Sequence, residues 1–172
     1  MNKESIDSFL RIQFERQHWV LQRLCYLRST FSRNINVSPL FLARPIRRGG
    51  GLYLLDGYVG LICQEFEQQY LERTGIPRDS SGGKFNPMWL ARNIANLDAI
   101  RPLQYIESEN QLPNFCDSIM NYLESMPHTI AALREVFSSQ ILSGVPLQEW
   151  AFMKEQKLMA LQSYLQQLGD AD

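Results

Sequence analysis

With 172 residues and 45% hydrophobic side chains, the chain has enough apolar material for one core, and a single domain over residues 1–172 is the expectation. Its net charge of −1 conceals a strong polarity: residues 1–48 carry nine bases against three acids, and the remainder eight bases against fifteen acids. No apolar run approaches the roughly 18 residues of a membrane-spanning helix, and Met1-Asn2-Lys3-Glu4 leads into no apolar signal segment, so neither a membrane span nor secretion is expected.

From Ser5 to about Arg33 apolar residues recur at helical spacing: Ile6, Phe9, Leu10, Phe14, Val20, Leu21, Leu24 and Phe31 share one arc. This predicts a long N-terminal helix, with a break near Arg28 to Thr30. Its opposite arc gathers Arg11, Arg16, Arg23 and Arg33, with Trp19 and Tyr26 between them and Glu15 as its one acid. Arginine presents a planar fork of donors to phosphate or carboxylate and stacks on rings, so this face suits an anionic partner.

The next stretch, residues 34–51, contains Pro39 and Pro45 and reads as a basic Pro/Gly loop inside the domain. It ends Arg44-Pro45-Ile46-Arg47-Arg48-Gly49-Gly50-Gly51, a cationic tip without the spacing or the Lys-Ser/Thr pair of a phosphate-binding loop.

Leu54 to Thr74 carries Leu55, Tyr58, Val59, Ile62, Phe66 and Tyr70 at spacings of three and four, which predicts a helix stopped by Gly75 and Pro77. Gly57 and Gly60 within it imply a close crossing by another helix. Glu65, Glu67 and Glu72 on its outer face would be the internal counter-charge for the Arg face. A polar loop, Arg78 to Phe85, precedes an Asn86-Pro87 helix start. Three further helices are expected over Pro113–Ser125, Pro127–Ser143 and Pro146–Leu168, each opened by proline and the last two closed by Gly144 and Gly169. The apolar set of the last helix would also suit a homodimer. The fold class expected is all-α: a single-domain bundle of about six helices.

The chemistry is mostly excluded. Two histidines, His18 and His128, have no Cys, His or carboxylate at ligand spacing, which argues against a metal site and against Ser-His or Cys-His catalysis. Cofactors are not expected. Cys25, Cys63 and Cys116 are few and far apart, as buried free thiols of a cytoplasmic protein would be. The expected function is non-enzymatic binding of an anionic partner through Arg11, Arg16, Trp19, Arg23, Tyr26, Arg33, Arg44, Arg47 and Arg48. Nucleic acid, bound nonspecifically through phosphate contacts and stacking, is the first partner to consider. The alternative is a protein-interaction module (adaptor, chaperone or small subunit) that turns the same surface on an acidic protein. A solvated or internally paired Arg face is the plain reading against both.

Overall fold

The computed structural model describes residues 1–22, 29–33, 35–74, 89–135, 163–164 and 166–167. Its element order is α1 (Lys3–Arg16), β1 (Val20–Gln22), β2 (Ser29–Ser32), β3 (Val37–Gly49), β4 (Leu52–Cys63), α2 (Gln64–Thr74), β5 (Trp89–Asn93), β6 (Tyr105–Ile106) and α3 (Leu112–Glu124), with short 3-10 turns at Ile94–Asn96, Arg101–Gln104 and Glu109–Gln111. The strands form one sheet in the order β1-β2-β3-β4-β5, with β6 beside β4. β1 runs antiparallel to β2, β2 to β3 and β4 to β6, with Phe31 opposite Phe41 and Tyr53 opposite Ile106. The all-α bundle is therefore wrong: an antiparallel sheet occupies the middle of the chain.

The long N-terminal helix is the first correction. α1 starts where Asn2 accepts from the Ser5 amide at 2.8 Å while Ser5 accepts from the Asn2 amide, a reciprocal cap. It stops at Arg16. The His18 amide donates to the Glu15 carbonyl and the Trp19 amide to that of Phe14, the two bonds of a Schellman stop, with His18 at φ 63 in the position glycine usually fills. The helical spacing beyond Trp19 is coincidental, because residues 20–22 and 29–32 are strand.

The second correction lies at residues 34–63. The expected basic loop is mostly strand β3, and the expected helix from Leu54 is strand β4 as far as Cys63, so only Gln64–Thr74 is helical. Along β4, Tyr53, Leu55, Gly57 and Val59 are buried, whereas Leu52, Leu54, Asp56 and Tyr58 are half-buried. The second face is itself largely apolar, which hides the alternation that marks a strand. Gly57 is where backbones crowd: a Cβ there would lie 2.1 Å from the Leu42 carbonyl oxygen. The close neighbour inferred from this glycine is thus strand β3.

Residues 89–93, within the helix expected from Asn86, are strand β5; residues 86–88 lie outside the described residues. α3 agrees with the expected Pro113 helix, and residues 130–135 are helical within the next one. Of the last, only 163–164 and 166–167 are described, and those are helical; the apolar set expected to suit a homodimer lies outside the described residues.

The chain clusters into two compact units, Met1–Asn34 with Pro39–Gly60 and Arg92–Met126, and Ile35–Ser38 with Leu61–Ala91 and Pro127–Asp172. In the first, α1 contributes Ile6, Leu10 and Phe14, and α3 contributes Phe115, Cys116, Ile119, Met120 and Leu123 to a core with Phe31, Phe41, Tyr53, Leu55 and Val59. Phe14 stacks on Phe31 at 4.4 Å and on Phe41 at 5.3 Å. In the second, Asn36 caps α2 from outside the helix, its carbonyl accepting from the Gln64 amide at 2.9 Å and its side chain from the Glu65 amide at 3.1 Å. Tyr164 lies against Phe66 and donates to the Glu65 carboxylate at 3.0 Å.

Candidate partner-binding surface

The nine residues singled out in the sequence do not form one face. Trp19 is only 2% exposed, edge-on to Phe14 with ring centroids 5.7 Å apart, so it is a core residue and not a stacking platform. Arg23 and Tyr26 lie outside the described residues. Arg11 is exposed on α1 and donates to Glu15 one turn along, at 2.8 Å. Arg33, just past β2, forms a two-pronged ion pair with Glu124 at the end of α3, and its guanidinium sits 5.0 Å over the Trp19 ring. Arg44 pairs with Asp56 across β3 and β4 at 3.3 Å.

The counter-charges of Arg11, Arg33 and Arg44 are therefore Glu15, Glu124 and Asp56, where the sequence suggested Glu65 to Glu72. Glu65 is engaged by Tyr164 and Glu72 by Gln68. The Tyr164 hydroxyl is held above its ordinary pKa, first by burial and then by that hydrogen bond.

Arg16, Arg47 and Arg48 remain. All three are exposed, and no ion pair involves them among the described residues. Arg47 and Arg48 are consecutive in a strand, so their side chains leave opposite faces of the hairpin. Among the described residues, β2 lies beside β3 only over Leu40–Ala43, while β3 continues to Gly49. Gly49, Gly50 and Gly51 have φ of 101, 57 and 83, a left-handed path that a tight hairpin needs and that side chains resist. A Cβ added at any of them would meet open space.

Among the described residues no group of three or more His, Cys, Asp and Glu is placed to hold a metal ion, and no helix is long and apolar enough to cross a membrane. Cys63 and Cys116 are buried thiols outside any disulfide. Burial, with Asp117 adding to it, pushes the Cys116 thiol up to about 12, which makes it a poor nucleophile. Cys25 lies outside the described residues. No family model, curated protein or solved structure matches the chain.

Proposed function

We propose that the protein is a non-enzymatic interaction module that grips an acidic protein partner with the end of the β3–β4 hairpin. One observation carries this reading: Arg47 and Arg48 are exposed on opposite faces of a glycine-closed turn, at whose glycines an added Cβ would meet nothing within 4 Å. Two adjacent forks suit a carboxylate-rich surface, and both side chains are exposed to meet one. Nucleic acid is the weaker fit. Binding it nonspecifically calls for a run of phosphate contacts and for exposed rings, whereas Trp19 is in the core and three of the arginines are already paired. The buried thiols Cys63 and Cys116 suit a reducing, cytoplasmic setting.

Fluorescence anisotropy tests this with a labelled Glu-rich peptide and with labelled single- and double-stranded oligonucleotides, each at low and high salt. The expected result is binding of the acidic peptide that Arg47→Ala/Arg48→Ala removes. Peptide binding indifferent to that double variant, or absent at low salt, overturns the proposal. Oligonucleotide binding tighter than peptide binding and lost in the same variant would transfer the hairpin end to nucleic acid.

A further inference from the structure

The hairpin has an outer face as well as an end. On β4, Tyr53, Leu55 and Val59 enter the core of the first unit, which leaves Leu52, Leu54 and Asp56 on the other side. On β3, Ala43 is in that core, so Arg44, Ile46 and Arg48 lie on the side of Leu54, as the Arg44–Asp56 ion pair across the strands requires. β6 extends the same surface: Tyr105 stands opposite Leu54, while Ile106, opposite Tyr53, is in the core. Tyr105 is 48% exposed, and Ile46, Leu52 and Leu54 are half-buried. These four residues make an apolar patch over three neighbouring strands, with exposed Arg48 at its rim.

We propose that this patch docks an amphipathic, acidic helix of the partner. The inference rests on the reading of the hairpin end given above and adds the form of the partner segment. A sheet face presents side chains and keeps its backbone groups within the sheet, so it suits the apolar stripe of a helix; an added strand would need an edge. The charge at the patch is complementary to acids. Among the described residues of the face, Asp56 is matched by Arg44, and Arg48 is exposed with no ion pair. Carboxylates bordering the helix's stripe meet Arg48; lysines there would be repelled. Tyrosine and arginine are also the residue types that contribute most when a partner strips their water.

The experiment compares three labelled peptides by anisotropy: an amphipathic Leu/Glu helix, a scramble of the same composition without a stripe, and the helix with Lys in place of Glu. The expected order is the Leu/Glu helix roughly tenfold tighter than its scramble, as for the loss of one hot spot, with no binding of the Lys form. Tyr105→Ala removes that advantage and leaves scramble binding unchanged; Leu54→Ser, checked for folding by circular dichroism, does the same. Equal binding of helix and scramble overturns the docking face and spares the arginine reading. Binding of neither overturns both. An advantage that survives both variants overturns the location. A dimer of the protein that Tyr105→Ala dissolves gives the face to a second copy and overturns the helix.

Discussion

The Trp19 amide donates to the Phe14 carbonyl at 3.0 Å, and the Trp19 indole meets the Phe14 ring at an interplanar angle of 80°. The first contact ends α1, and the second is the hydrophobic contact that accompanies a Schellman stop. Together they turn the chain from helix into β1 and draw the only tryptophan of the basic segment into the core. His18 sits between them at φ 63.

That backbone conformation makes His18 a site for stabilisation. A residue with a Cβ resists the left-handed region, and glycine does not. His18 is exposed, so its side chain gives up little packing. His18→Gly is expected to raise stability by roughly 0.5–1 kcal/mol, net of the greater freedom glycine has in the unfolded chain. Urea denaturation measures it; a lower midpoint would mean that His18 makes contacts of its own.

Trp19→Ala separates a core residue from a stacking surface. Removing a buried indole from the Phe14, Phe31 and Phe41 cluster should cost about 3–5 kcal/mol. An exposed stacking residue would change stability by no more than about 0.5 kcal/mol. The denaturant midpoint distinguishes the two.

The elements legible in the sequence were those whose punctuation is local. α3 has proline near its start and a clean apolar stripe, and it is where the spacing put it. β3 and β4 were not legible, because Leu52, Leu54 and Tyr58 on the second face are apolar too, and a strand apolar on both faces matches helical spacing by chance. The α1 stop was hidden because histidine stands where glycine would have announced it. At the candidate surface, Arg47 and Arg48 were legible from the adjacent glycines. The burial of Trp19 and the pairing of Arg33 with Glu124, 91 positions away, depend on tertiary placement that no local pattern carries. Tyr105 was missed for a related reason: its face is defined only by pairing with Leu54.

Gly57→Ala tests the close approach of β3 and β4. With the Leu42 carbonyl oxygen 2.1 Å from the new methyl and the Ala43 Cα at 3.2 Å, backbone has to move. Overpacking of this kind costs roughly 1–3 kcal/mol, and this site should lie at the upper end because the obstacle is not a flexible side chain. The thermal midpoint should fall by several degrees. An unchanged midpoint would show that the strands separate at no cost.

The Arg33–Glu124 pair ties the end of β2 to the end of α3. The side chains are 29% and 43% exposed, so solvent screens them, and a double-mutant cycle of Arg33→Ala and Glu124→Ala should return a coupling of about 0.5–1 kcal/mol that shrinks with salt. Loss of the Arg33 guanidinium also uncovers Trp19, which the single variant reports as a shift in tryptophan emission relative to Glu124→Ala. A coupling near zero at low salt would reduce the pair to two independent surface charges.

Alkaline pH is the condition that should loosen the core of the first unit. Cys116 is neutral in the fold, its pKa raised from 9.0 to about 12, chiefly by burial among apolar neighbours. In the unfolded chain the thiol ionises near its ordinary value. Its contribution is therefore complete below about pH 9, and falls as pH rises from there toward about 12, because only the unfolded state sheds the proton readily. Tyr164, also raised, adds a loss of the same sign at higher pH. Chemical denaturation at a series of pH values should show stability declining above about pH 9, with a shallower decline in Cys116→Ala measured against its own neutral-pH value. Thiol-reactive reagent at pH 8 to 9 should label Cys116 in the unfolded protein and leave it unmodified in the native one. Rapid native labelling, or an identical alkaline slope in the variant, would place this thiol in contact with water and remove it from the core.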